Sequence, residues 1–313
     1  MNNKELYRQI CTQYADVPVF LQPWWLDAVN PTWQAVITQK GDHITGIWPY
    51  IIDQRLGVKL LRTPLLTPYL GPHVFYPADM KESNRDSFEH DTITALINQL
   101  PDVPVWALSM FPGLKQVGLF KNYGLDAQVK QTFLIDLSTS EDTIFSNLKE
   151  SIRRNIKAAA KEITIINDAA YLPQLYQYQK STLTRKQAAQ PHTIQHMQIL
   201  MDGCIAHNAG ALWVAKKGDE VTAIIWNVWD AHTSYYFMGA QNPASYNAAA
   251  MSALLWHCIS QAKLRQNQVF DLEGSMDPGV EKFFRGFGGK RDLYIILKKN
   301  TSLAWKLLQA IRQ

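Results

Sequence analysis

A chain of 313 residues exceeds the size at which one hydrophobic core stops growing, so two domains or a doubled domain are expected. With 47% hydrophobic and 19% charged residues, the composition is that of an ordinary folded protein and excludes a disordered chain. The net charge is a modest +4, and Cys11, Cys204 and Cys258 lie too far apart for a metal motif or a disulfide framework, which fits a reducing, cytoplasmic setting.

The opening residues, MNNKELYRQICTQYADVP, lack the apolar segment of a signal peptide. No run approaches the ~20 apolar residues of a membrane helix. Strands are predicted at 33–39, 43–53 and 57–63, then a helix at 85–100, a strand at 104–109, a helix at 113–122 and a strand at 128–137. Helices follow at 141–161, 170–188 and 193–208. Strands at 210–217, 220–229 and 233–239 lead to a helix at 246–266, a strand at 268–272, a helix at 278–287 and a strand at 290–298. The order β-β-β-α-β-α-β thus occurs twice. Even the last helices echo, since Pro112-Gly113-Leu114 and Pro278-Gly279-Val280 each read as a helix start. Asp42 and Gly218-Asp219 supply tight turns for antiparallel meanders, and each strand–helix–strand crossover adds a parallel pair. The fold class is therefore α/β, with mixed sheets flanked by helices.

Charge is uneven along the chain. Residues 1–140 carry 11 Lys+Arg and 13 Asp+Glu, and residues 141–313 carry 20 and 14, so the second half is the expected place for an anionic ligand. Ile144, Leu148, Ile152 and Ile156 form an apolar seam on the helix at 141–161, and Lys149, Arg153, Lys157 and Lys161 form a basic stripe with the same spacing. Like charges four residues apart repel, so the stripe is either a solvated face or a contact for phosphate. Glu150 partly accounts for Arg154. Arg185 and Lys186 end the following helix, where they can either meet its free carbonyls or face an acceptor. His192 and His196 have the spacing of a zinc pair but no third ligand at a telling distance.

The stretch from Phe270 to Tyr294, FDLEGSMDPGVEKFFRGFGGKRDLY, is the richest in signals. Asp277 reads as an N-cap, Pro278 as the first helical residue and Gly288-Gly289 as the closing corner. Alternation along the strand puts Asp271 and Glu273 on one face, just before a turn at Gly274-Ser275. A strand end bearing carboxylates beside a helix N-terminus is a common place for chemistry. The plainer alternative is that both cap loops and pair with Arg285 or Lys290.

The duplicated order resembles two tandem copies of the GNAT acetyltransferase fold, as in the FemABX aminoacyltransferases. The resemblance spans most of the chain. It is carried by NLKESIRRNIKAAAKE (Asn147–Glu162), STLTRKQ (Ser181–Gln187), FDLEGSMDPGVEKFFRGFGG (Phe270–Gly289), WPYII (Trp48–Ile52) and TPYLGP (Thr67–Pro72). Two departures stand out. The donor turn Gln241–Ala250 keeps small residues but lacks the family's glycines, and Phe283-Phe284-Arg285-Gly286-Phe287 has Phe284 where the F-K-x-x-F motif has lysine. There is also no coiled-coil arm of the kind some members use for tRNA.

The resemblance implies lobes at 1–140 and 141–313, with Leu303, Leu307 and Ile311 as a face by which a C-terminal helix (301–313) packs on the first lobe. It implies an acyltransferase that binds no permanent cofactor and takes acyl-CoA or aminoacyl-tRNA as donor. The acceptor would be an amine, including a cell-envelope precursor. Glu273 or Asp271 would serve as base, and Tyr294 or Tyr246 would protonate the leaving group. Tyr236, Met238, Gly239, Asn247, Ala248, Arg285 and Lys290 would hold the donor, and Arg153, Lys157, Arg185, Lys186 and Tyr69 the acceptor. The alternatives are a non-catalytic GNAT-fold protein for a phosphorylated ligand and a nucleic-acid-binding module.

Overall fold

The computed structural model describes residues 2–274 and 276–311, with side chains up to 307; Ser275 of the expected turn lies outside the described residues. The chain forms two compact units, one of Met1–Lys130 with Leu293–Gln313, the other of Gln131–Asp292.

The first unit holds helices α1 (Asn3–Gln13) and α2 (Pro23–Val29), strands β1 (Gln34–Lys40), β2 (His43–Tyr50), β3 (Ile52–Arg55), β4 (Val58–Arg62) and β5 (His73–Val74), helix α3 (Glu82–Ile97), strand β6 (Val105–Ser109) and helix α4 (Val117–Lys121). Strand β7 (Asp126–Asp136) leads into the second unit. There the chain makes α5 (Glu141–Asn147), α6 (Glu150–Ala159), β8 (Thr164–Asn167), α7 (Leu172–Arg185), α8 (Ile194–Ala206), β9 (Gly210–Lys217), β10 (Glu220–Trp229), β11 (Thr233–Gln241), α9 (Ala248–Leu264), β12 (Val269–Asp271) and α10 (Pro278–Arg285). Strand β13 (Lys290–Asn300) and helix α11 (Leu303–Ile311) complete the chain.

In the first unit, β1, β2 and β5 form an antiparallel sheet, and β3, β4, β6 and β13 form a second, mixed set. The long strand expected at 43–53 is divided at Ile51, so that β2 pairs with β1 and β3 with β4. The last strand joins this unit because Ile296–Asn300 pair with Val105–Ser109. Trp33, Trp48, Leu61, Leu70, Ile93, Phe120 and Leu297 fill its core. Trp25, one of an adjacent tryptophan pair, is fully buried and donates its indole N–H to Thr67.

In the second unit the strand order is β7-β12-β11-β10-β9-β8. The meander β9–β11 is antiparallel, β12 is parallel to β11, and β7 closes antiparallel on β12. Helix α9 packs its face of Met251, Leu254, Leu255, Cys258 and Ala262 on this sheet with Ile225, Phe270 and Phe284. Asp277 caps α10 by accepting from Gly279 and Val280, Pro278 opens it, and Gly288 turns at φ +76°.

Five expectations are corrected. The helix expected at 141–161 breaks at Leu148-Lys149, where Leu148 is buried and the Lys149 N–H donates to the Gly286 carbonyl. The basic stripe is therefore interrupted: Lys149 is an N-cap, Lys161 lies beyond the helix, and only Arg153 and Lys157 share it. Gly113 sits at φ +85° in a turn, so Pro112-Gly113-Leu114 does not open a helix and α4 begins at Val117. The α11 face of Leu303 and Leu307 is 75% and 67% exposed; Trp305 instead packs on Val58, Leu60 and Val105, and the side chain of Ile311 lies outside the described residues. Asp271 ends β12 and Glu273 adopts φ +53°, so the period-two argument stops short of Glu273.

Candidate active site

The second unit contains a strand opening. Strands β11 and β12 pair only over Thr233–Tyr235 and Val269–Asp271. Beyond that point β11 runs on to Gln241, while β12 ends, so the edge from Tyr236 onward has no strand beside it on that side. The β10–β11 register slips between Trp226 and Asn227, leaving Phe237 as the extra residue of a bulge that bends this edge. Gly239 lies on the bent segment. A Cβ there would stand 1.9 Å from the Tyr236 hydroxyl, so the missing side chain makes room for that phenol. Met238, also on this segment, is buried.

Glu273 stands two residues beyond the end of β12. Its N–H donates to Asp271 Oδ1 at 2.7 Å, and the Thr132 hydroxyl donates to the same oxygen. Asp271 is thus a buried brace that fixes the turn. Gly274 follows at φ +56°, where a Cβ would stand 1.9 Å from the Gln131 carbonyl oxygen. Glu273 keeps some surface as a residue, but its Oε1 is shut off from solvent and has no hydrogen-bond partner among the described residues. Burial, and then the Asp271 charge, push its carboxyl well above the usual range. A carboxyl so shifted can exchange protons at a pH where ordinary carboxylates cannot. The Tyr236 phenol is raised as well, mainly by burial, then by Cys258 and then by Glu273, and its ring packs edge-on against Phe284 with centroids 5.1 Å apart.

After Gln241 the chain turns on Asn242, whose Oδ1 accepts from Ala244. Asn247 then caps the 17-residue helix α9 by accepting from Ala250 at 3.0 Å. The N–H groups of Ala248 and Ala249 in its first turn have no partner among the described residues. A helix start of this length attracts anions, so the glycine-poor turn still presents donors to a phosphate.

Other sequence candidates have defined neighbours. Arg153 donates to the Ser146 carbonyl at the end of α5, and Lys186 pairs with Asp277, so both have structural work. Arg285 lies 3.8 Å from Glu281, which Arg291 also holds at 2.8 Å. Lys157, Arg185 and Lys290 are all exposed. Tyr246 is 78% exposed on the loop before α9. Tyr69 and Tyr294 meet edge-on in the first unit, with ring centroids 5.2 Å apart, and Tyr69 is a core residue there. His196 forms a capping box with Thr193, and His192 meets Gln190 at 3.0 Å. Among the described residues no group of three or more metal-ligating side chains occurs.

The tyrosine that the structure sets beside Glu273 is Tyr236, which the sequence reading assigned to donor binding. The signal available for its position was Gly239, three residues on. The positive φ of Glu273 had no sequence signal, because that conformation is uncommon for any non-glycine residue.

Residues 146–285, from α5 to α10, match the family model described as acetyltransferase (GNAT) domain. No curated protein matches the sequence. Among solved structures, FemX covers 99% of this chain and 98% of its own at a TM-score of 0.67 and 11% identity. The C-terminal domain of a putative lysylphosphatidylglycerol synthetase from Agrobacterium fabrum covers 98% and 95% at a TM-score of 0.54 and 12% identity. A tandem GNAT protein from the clavulanic acid biosynthesis pathway covers 96% and 94% at a TM-score of 0.54 and 7% identity. These identities make the structural likeness one of fold. The second unit carries a GNAT acetyltransferase domain, and the chain has the tandem GNAT fold of FemX. In fold the chain is thus FemABX-like over its whole length, and its sequence match to a GNAT acetyltransferase domain covers residues 146–285. No helix among the described residues is long and apolar enough to cross a membrane.

Proposed function

We propose that the protein moves an acyl or aminoacyl group from an acyl-CoA thioester or an aminoacyl-tRNA ester to an amine. The observation that carries this reading is the parting of β11 and β12 after Tyr235 and Asp271, with Glu273, whose Oε1 is shielded from solvent, two residues beyond the split. The acyl arm of the donor lies along the free β11 edge. Backbone N–H groups of the Tyr236–Gly239 segment polarise its carbonyl and hold the oxyanion that forms. Asn247, Ala248 and the first turn of α9 receive donor phosphate, with Arg285, Lys290, Arg153, Lys157 and Arg185 as the surrounding positive charge.

The amine nitrogen attacks the carbonyl carbon, and ionised Glu273 takes its proton directly or through water. The thiolate or ribose oxygen then leaves. Tyr236 is the proposed hydrogen-bond donor to the reacting oxygen, with Tyr246 and Tyr294 as the alternatives for protonating the leaving group. Asp271 orients Glu273 through its backbone N–H. Lys186 is proposed to act on the acceptor through Asp277, and Tyr69 through Tyr294. The fold likeness to a lysylphosphatidylglycerol synthetase domain and to a tandem GNAT protein supports keeping both donor classes. The proposed acceptor is an amine of a cell-envelope precursor, met in the cytoplasm.

The test supplies labelled acetyl-CoA in one arm and a pool of labelled aminoacyl-tRNAs in the other, each with amine acceptors, and follows the label by mass spectrometry. Transfer is expected in one arm, with donor binding retained in Glu273→Gln. Turnover of neither donor, by a protein that melts cooperatively, would overturn the reading.

A further inference from the structure

The first unit contains a cavity of about 300 Å³ that the transfer chemistry does not use. Its walls include His73 and Val74 of β5, Tyr76, Glu89 of α3, and Met110 and Phe111 after β6. Prolines and aliphatic side chains supply most of the remaining lining. This is the composition of a small-molecule site, an apolar pocket open to solvent with a few polar groups in its wall.

Glu89 is the only carboxylate among these lining residues. Its Oε2 accepts from the Tyr76 hydroxyl at 2.8 Å, which holds the carboxylate in place. Its Oε1 has no partner among the described residues, and no basic side chain lies within ion-pair distance of it. The nearest arginine on the same helix, Arg85, is 5.2 Å over the Tyr76 ring and pairs with Glu82 at 3.2 Å. His73 also faces the cavity, with Nε2 3.8 Å from Asp16 Oδ2.

The chemistry of such a lining is selective. An anionic ligand would meet the repulsion of the Glu89 charge. A metal ion would find too few ligands. A sugar would leave most of its hydroxyls against proline, methionine and phenylalanine. An organic ammonium ion fits each feature: the carboxylate accepts its N–H groups, and the wall of aliphatic side chains and Phe111 covers its body.

We propose that this cavity binds an organic amine in its ammonium form, with Glu89 as counter-ion and an apolar or aromatic body of modest size against Val74, Met110 and Phe111. The proposal is independent of the acyl-transfer reading and is tested without any acyl donor.

The experiment is calorimetric titration of the full chain with phenethylamine at neutral pH, beside 2-phenylethanol as the neutral analogue. Phenethylammonium is expected to bind one to one and at least about 10-fold more tightly than the alcohol. Glu89→Gln keeps the shape and a Tyr76 partner, and is expected to weaken the amine by about 10-fold to 100-fold without affecting the alcohol. Leu114→Trp fills the cavity from a loop and is expected to abolish both, so the location is tested even if Glu89→Gln folds poorly. Equal affinity for amine and alcohol, unchanged amine binding in Leu114→Trp, or no amine heat up to about 10 mM would each overturn the proposal.

Discussion

Replacing Glu273 by glutamine separates its role in chemistry from its effect on the fold. Its folded pKa is raised, first by burial and then by Asp271, so the folded state binds a proton more tightly than the unfolded chain does. The sign follows from linkage. The contribution of Glu273 to stability is fully present below the unfolded carboxyl pKa of about 4.3 and is lost as pH rises through the folded value. Between those two pKa values the wild type should lose stability relative to Glu273→Gln by at most about 1.4 kcal/mol per pH unit, and the difference should level off above the folded pKa. At the acid end the wild type should be the more stable, because a glutamine amide brings two donors to a spot where Oε1 already has no partner, at a cost of about 1–3 kcal/mol. Urea unfolding of both proteins from about pH 4 to 8 gives this difference curve directly. In turnover, the same variant should be slower by about 10²–10⁴-fold with donor binding nearly intact, and the deficit should shrink at high pH as more acceptor amine is already neutral. A flat difference curve would show that Glu273 is not perturbed as its surroundings require. A stably folded variant with normal turnover would remove it from the mechanism and leave positioning and the β11 edge.

Gly274→Ala should be severely destabilising, by about 2–5 kcal/mol, since it combines an L-residue at φ +56° with a Cβ driven into the backbone of Gln131; a thermal melt reads it. Gly239→Ala should cost less, about 1–3 kcal/mol, because the atom in the way is the movable tip of Tyr236; it should weaken donor binding by calorimetry more than it lowers the melting temperature. Asn247→Ala should cost about 1 kcal/mol of stability through the lost α9 cap, read by chemical denaturation. Charge reversal at Lys157 should weaken binding of a phosphorylated donor and reduce its salt dependence, read by titration at several salt concentrations; unchanged affinity would return that lysine to a solvated role.

The second unit was the more legible in sequence because its elements are long and periodic. Glu220–Trp229 is nearly all buried, Gly218 supplies the turn before it, and the cap Asp277 with Pro278 marks a helix start by local chemistry alone. Those signals are carried by neighbours in sequence, and the strands at 210–217 and 220–229 appear with the bounds expected of them. The first 32 residues carry local marks as well, the Asn2–Glu5 capping box of α1 and Pro23 opening α2, but these helices are short and are held by docking: Tyr7 donates its hydroxyl to the Leu21 carbonyl, and Trp25 to Thr67. The two-residue strand β5 and the four-residue β8 are likewise too short to announce themselves, and exist because β2 and β9 offer them an edge.

The site divides in the same way. The sequence by itself determined the residue types at the end of β12, the cap of α10 and the small residues at the start of α9, since each depends on the chemistry of a few adjacent residues. Only the tertiary structure decided that the basic run 149–161 is not one helix, because the Gly286 carbonyl captures the Lys149 N–H and forces the break. It also decided which carboxylate is a brace and which has an oxygen without a partner. Thr132, 139 positions from Asp271 along the chain, ties down Asp271, while the turn at Gly274 under the backbone of Gln131 swings Glu273 off the strand register. Proton affinity depends on what surrounds a group in space, and contacts made across that much chain leave no local mark in the order of residues.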